Sequence, residues 1–257
     1  MRLAALSLVL AALLPASAFA APSVPTVAVV YFDYQGKDEE LALLKKGLAS
    51  MLISDLAGRE TFSVVERERL EDVLGELKLQ SSAKIDQASA MKAGRLLGAR
   101  YLVLGGCFDV LKTLRVDARV VEVETGKVLS SVGASGAPDT FASIEQKLAS
   151  DLGARLEEAL ARAATPAKSK AKPQPTKLAA NDAGALLAGD AGSLANAARR
   201  ARPPKQLRTS TAIEYSRALG ALDRRNVKEA TTRLKKVVAE APDFELASLD
   251  LNRLMKQ

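Results

Sequence analysis

The stretch ARYLVLGG, residues 99–106, offers water almost no polar side chain on either side of an extended chain. Successive residues of a strand point to opposite faces, so a strand of this composition is stable only when both faces are covered. Whatever else this chain forms, it contains a sheet with layers packed on both sides. The segment that follows behaves differently. Leu114, Val116, Ala118 and Val120 alternate with Arg115, Asp117 and Arg119, the pattern of a strand with one dry and one wet face. At Val120-Val121 the apolar positions change phase, and Val121 and Val123 stand against Glu122 and Glu124. A shift of one residue in a period of two points to a β-bulge. Glu124-Thr125-Gly126-Lys127 then reads as a tight hairpin turn into a strand over residues 128–132.

Upstream, VPTVAVVYFDY (24–34) is β-branched and aromatic, the signature of a central strand. Leu41, Leu44, Leu48, Met51, Leu52 and Leu56 recur at helical spacing up to Gly58. Residues 62–66 form a second strand. The run ERERLEDVLGELK then places Leu70, Val73, Leu74 and Leu77 on one helical face, and Glu68, Glu71 and Asp72 in the first turns, where carboxylates suit the positive end of the helix dipole. Asp86 is placed to cap a following helix with Ala90, Met91, Gly94 and Leu97 on its inner face and Gly98 at its end. A last helix carries Phe141, Ile144, Leu148, Leu152, Leu156 and Leu160. The order β-α-β-α-α-β-β-β-α predicts an α/β (α+β) fold: a mixed sheet with packed helices and a terminal three-strand meander.

The ends of the chain are of another kind. Residues 1–20 combine Arg2, an apolar run over 3–14, Pro15 and Ala18-Phe19-Ala20, which is the form of a cleaved signal peptide. The run is shorter than the about 20 residues a spanning helix needs, and no Cys follows it for lipid attachment. The mature chain is expected to be exported and soluble, periplasmic or otherwise outside the cytoplasm, and not membrane-spanning. Residues 21–162 hold 18 Lys and Arg against 21 Asp and Glu, residues 163–210 hold 9 against 2, and residues 211–257 hold 9 against 7. The basic excess thus sits in the middle segment, whose opening AATPAKSKAKPQPTK reads as a solvated linker, with a weak helix near 186–201. Weak contact with an anionic surface is a partner this linker allows; nucleic acid is not expected, since no aromatics are interleaved to stack bases.

The chain has no histidine and one cysteine. Imidazole general-base chemistry, Ser-His and Cys-His pairs, and zinc sites built on His or several thiolates are excluded. No catalytic, cofactor-binding or metal-ligating residue is singled out, no cofactor is expected, and the chain is not expected to be an enzyme. Cys107 reads as a small hydrophobe in a buried strand, and Asp33 as a strand-end carboxylate without a second polar partner.

The run from VAVVYFDY through FSVVERERLEDVLGELKLQ, AGRLLGARYLVLGG and VDARVVEVETGKVL, about residues 24–135, resembles the CsgG family of curli assembly and transport components. It is similar also to the amino-terminal domain of TolB and to LpoB. The resemblance implies that Val65-Glu66-Arg67 ends a strand and starts a helix, that Arg67 or Arg69 pairs with carboxylates at the domain surface, and that the domain is an assembly module. It departs from the secretion channel of that family: one spanning strand takes about 9 to 11 residues, and the connections at 110–114 and 124–127 are far shorter than spanning hairpins. No pore is expected. In the last 47 residues, Ala218, Ala230, Leu234, Val237 and Pro242 fall at the spacing of a tetratricopeptide repeat, with Arg225-Asn226-Val227 as its turn and a further helix from Phe244. One such repeat cannot bury its own core, so these helices are expected to pack on another surface or on a second copy. The organisation expected is therefore a signal peptide (1–20), an α/β domain (21–162), a linker (163–210) and a helical module (211–257). The function expected is non-catalytic binding of envelope proteins during assembly or secretion. The alternatives are a soluble homo-oligomeric accessory of a secretion apparatus and an LpoB-like regulator of a cell-wall synthase.

Overall fold

The computed structural model describes residues 24–79, 85–164 and 207–256. The signal-type segment 1–20 and the weak helix expected near 186–201 lie outside the described residues.

The elements in chain order are β1 (Thr26–Val29), β2 (Asp33–Tyr34), α1 (Glu39–Ala42), α2 (Leu44–Ala57), β3 (Ser63–Val64), α3 (Arg67–Glu76), α4 (Gln87–Leu96), β4 (Tyr101–Val110), β5 (Thr113–Glu122), β6 (Val128–Gly136), α5 (Phe141–Ala164), α6 (Thr209–Asp223), α7 (Val227–Glu240) and α8 (Glu245–Met255). Six strands form one mixed sheet in the order β3-β1-β4-β5-β6, with β2 also on β4. β3, β1, β2 and β4 run parallel where they pair, and β4-β5-β6 is the antiparallel meander. The expected first strand is two pieces. Val29 pairs with Val103 but Asp33 pairs with Gly106, so four residues on one side stand opposite three on the other, and the extra residue breaks the ladder. The break lets both Val30 and Phe32 be buried, on opposite faces.

One face of the sheet is covered by α2 and α5, the other by α3 and α4. All six apolar residues expected on the first helical stripe are buried, although the helix is interrupted at Leu43. Asp86 caps α4 by accepting from the Ser89 N–H at 2.9 Å, and Gly98 closes it with φ +65°. The turn at 124–127 forms as expected, with Gly126 at φ +71° and its N–H bonded to the Glu122 carbonyl at 2.8 Å.

The register irregularity falls between Val120 and Val121, where the phase change placed it. Its physical cause is different from the one expected. Val120 pairs with Ser130 and Val121 with Val128, so the extra residue, Leu129, is on β6. Along β5 the pleat itself never changes phase. Val116, Ala118 and Val120 face α2 and α5, while Val121 and Val123 belong to the opposite face, beneath α3 and α4. The apolar positions change because the second helical layer begins there.

The C-terminal helices pack on the α/β part. Leu207, Ala212, Ile213, Tyr215, Ala218, Leu219, Leu234, Val237, Phe244 and Ala247 are buried in the same apolar cluster as α2, α5 and the sheet. α6 lies along α2 at close range. Gly47 makes this possible: a Cβ there would collide with the Ser216 hydroxyl, which instead accepts a hydrogen bond from the Gly47 N–H at 3.0 Å. The Tyr215 ring meets Phe244 edge-on at 4.9 Å, tying α6 to the start of α8. Among the described residues no helix is long and apolar enough to cross a membrane.

Candidate protein interface

Two polar constellations stand out, one sealed and one open. The sealed one lies between α2, α3 and α6. Arg67, the first residue of α3, is buried and donates from Nη1 to Asp223 Oδ1 at 2.6 Å. Lys46 of α2 donates to Glu71 Oε1 at 2.8 Å and also to Asp223 Oδ2. The Tyr31 hydroxyl donates to Glu71, and the Lys46 ammonium lies 5.2 Å from the centre of the Tyr31 ring. Burial alone would raise the Asp223 carboxyl, but the Arg67 guanidinium and the Lys46 ammonium hold it below the usual carboxylate range. Desolvation and the Glu71 carboxylate push the Tyr31 hydroxyl far above its ordinary value, so it stays a donor. Deeper along the same seam, Ser50 and Tyr215 share a hydrogen bond of 3.1 Å, and Tyr215 donates to Asp250 Oδ2 at 2.9 Å. Burial raises the Asp250 carboxyl, opposed by that bond.

The ERER segment is thereby explained. Arg67 does lie near a surface carboxylate, Glu68, at 3.8 Å, but its short contact is with a largely enclosed one from the C-terminal helices, Asp223. Of the acidic residues read as helix-start chemistry, Glu68 pairs with Arg253 of α8 at 2.9 Å and Glu71 with Lys46. Glu68 thus holds α8 directly, while Glu71 holds Lys46, which in turn bridges to Asp223 of α6. The spacing of α3 alone could not show the Arg67 and Glu68 pairs, because their partners lie more than 150 residues further along the chain.

The open constellation is the half of the sheet that α3 and α4 leave uncovered. Both helices are short and reach only β3, β1 and the near ends of β4 and β5. Beyond them the meander presents three cross-strand rows: Leu104, Arg119 and Ser131; Gly106, Asp117 and Gly133; Phe108, Arg115 and Ser135. Asp33 of β2 extends the middle row on the far side of Gly106. Arg115 is tied to Asp117 by Nε at 3.0 Å, and Gln35 donates to Asp33 at 3.3 Å. The trough above these rows has a volume of about 800 Å³. Its floor is low because Gly106 and Gly133, on either side of Asp117, carry no side chain on this face. Asp117 leans over Gly133, where a Cβ would meet its carboxylate. Asp33, read from sequence as a carboxylate without a polar partner, thus shares a row with Asp117. The charged side chains of β5 were legible only as a wet face; that the face is a trough depends on glycines in two neighbouring strands.

Cys107 lies on the opposite, covered face. It is buried as expected, and desolvation first, then Asp33 and Asp109, push its thiol up to about 12. Among the described residues no group of three or more His, Cys, Asp or Glu side chains is arranged to hold a metal ion.

Residues 21–110 match the family described as curli production assembly/transport component CsgG. The match ends with β4, so the rest of the meander and the C-terminal helices lie outside it. Among solved structures, the LpoB C-terminal domain from Salmonella enterica is 16% identical over 46% of this chain and 87% of its own, with a TM-score of 0.39. The lipoprotein GNA1162 from Neisseria meningitidis is 17% identical over 44% of this chain and 79% of its own, with a TM-score of 0.37. The PelC dodecamer from Paraburkholderia phytofirmans is 16% identical over 51% of this chain and 86% of its own, with a TM-score of 0.34. At such TM-scores these likenesses carry no inference about function. No curated protein matches the chain. The α/β part has a CsgG-like fold, supported by the family match over β1 to β4.

Proposed function

We propose that this chain is an exported protein of the bacterial envelope that binds other proteins during assembly or secretion and catalyses no reaction. The observation that carries the reading is the half of the meander that α3 and α4 leave uncovered, a trough of about 800 Å³, in a chain whose first four strands match an assembly and transport family. The form of residues 1–20 supports export, and the charge of residues 163–210 supports a solvated linker between an α/β part and a tetratricopeptide-like helical part.

The test is site-specific photo-crosslinking in the native envelope. A photoreactive phenylalanine at Phe108, on the trough, is expected to give a discrete adduct that mass spectrometry identifies as an envelope protein. The same group at Lys147, on the outer side of α5, is expected to give none. No adduct from Phe108, or equal adducts from both positions, would remove the reading.

A second reading, a homo-oligomeric accessory of a secretion apparatus, is favoured by one observation: β6 is an edge strand without a charged residue. Light scattering on the full mature chain separates the two, a defined oligomer supporting the second and a monomer the first. Identification of the adduct as a cell-wall synthase would instead select the LpoB-like regulator.

A further inference from the structure

Among the described residues β6 ends the sheet at one side, and its sequence VLSSVGASG holds neither a charge nor a proline over nine residues. Natural edge strands are commonly blunted by Lys, Pro or a pronounced bulge, because their free N–H and C=O groups are a template for another strand. Here the one irregularity is at Leu129, at the start, and the remainder pairs regularly with β5 from Ser130 to Gly136. The Glu122 N–H bonds to the Lys127 carbonyl and the Val123 N–H to the Arg100 carbonyl, so even-numbered residues of β5 face β6. Antiparallel alternation then turns the backbone groups of Ser131, Gly133 and Ser135 away from β5, to the open side.

The same three residues carry the side chains that point onto the trough, and all three are small. A strand added beside β6 would stand about 9.6 Å from β5, two interstrand spacings away. Ser131 is too short to fill that interval, whereas Arg119, in the same row, has a side chain long enough to span it. Arg115 is satisfied by Asp117. Arg119 makes no ion pair among the described residues. On the other face, Leu129 and Val132 are only partly buried and form an apolar ledge at the edge of the core.

We propose that β6 is a strand-addition site for an extended peptide segment of a partner protein, with acidic side chains facing Arg119 and apolar side chains alternating onto the Leu129–Val132 ledge. The backbone of Ser131, Gly133 and Ser135 supplies the ladder, and Arg119 selects the sign of charge. This rests on the protein-binding reading above and names the chemistry of its partner.

The probe is a fluorescein-labelled synthetic peptide of alternating valine and glutamate, titrated with the full mature chain and followed by anisotropy. Saturable binding is expected, and about tenfold weaker binding of the valine–lysine counterpart, a difference one charge pair can supply. Arg119→Glu is expected to reverse the preference. Ser131→Pro removes an outward N–H and leaves the ladder to β5 intact, so it is expected to abolish binding with an unchanged Tm. No binding, binding indifferent to the sign of charge, or binding unaffected by Ser131→Pro would overturn the proposal. So would a dimer of the wild-type chain that Ser131→Pro dissolves, since the edge would then serve a second copy. Adducts from Phe108 that persist in Ser131→Pro would leave the protein-binding reading standing while strand addition falls.

Discussion

The two halves of the sheet differ in what finishes them. On the α2 side, polar groups are closed off by the chain's own C-terminal helices, and Arg67, Lys46, Glu71 and Asp223 pair with one another in a largely enclosed seam. On the far half of the meander, Arg115, Asp117 and Arg119 stand at comparable density but remain in water. The same residue types are structural where the chain supplies a cover and available where it does not. Burial, more than composition, separates the two.

Four measurements sharpen or break that contrast. The largest effect is expected from Asp223→Ala, which leaves the buried Arg67 guanidinium without its carboxylate. A loss of about 3 kcal/mol by urea denaturation is expected, whereas Asp117→Ala, which breaks an exposed pair, is expected to cost less than about 1 kcal/mol. Equal losses would erase the distinction between the halves. Next is Gly47→Ala. An alanine in a helix interior is favoured over glycine by about 1 kcal/mol, yet here its Cβ meets the Ser216 hydroxyl. A net loss of about 1–2 kcal/mol is expected from overpacking, and a gain would mean that α6 does not bear on α2 this closely.

The third measurement is the pH dependence of stability. Asp223 is held below its unfolded value, so its contribution is present above about pH 3.9 and is lost as pH falls through the lower folded value. Asp250 is raised, so its contribution has the opposite sign: full below the unfolded value and lost as pH rises through the folded one. Asp223→Asn is therefore expected to flatten the acid limb of the stability curve, and Asp250→Asn to cost less at neutral pH than Asp223→Asn. The smallest effect concerns the β4–β5 tip, where Leu111 and Lys112 take φ of +50° and +63°, and Leu111 is 94% exposed. Replacing the pair by Asn-Gly suits a two-residue hairpin turn and is expected to raise stability by up to about 1 kcal/mol. No gain would show that the tip is not strained.

Much of this was legible before any coordinates. The continuous apolar run of β4, the alternation in β5, the Asp86 cap and the Gly126 turn are local patterns, and each forms where its spacing places it. The pairing of Arg67 with Asp223 was not legible, because no local pattern connects residues 156 apart. The phase change at Val121 was read in the right place for a reason that belongs to a neighbouring layer. The trough was missed because it is made by what is lacking, the side chains of Gly106 and Gly133, in strands whose register only pairing reveals.

The seam between α2 and α6 also bears on the order in which the molecule is completed. Lys46 and Asp223 are 177 residues apart, so the outer side of α2, with its cations and its glycine notch, waits for a segment made last. During synthesis, the early part of the chain is an unfinished solid with one wall missing. A chain cut short before α6 is left with the core open to the first apolar surface it meets.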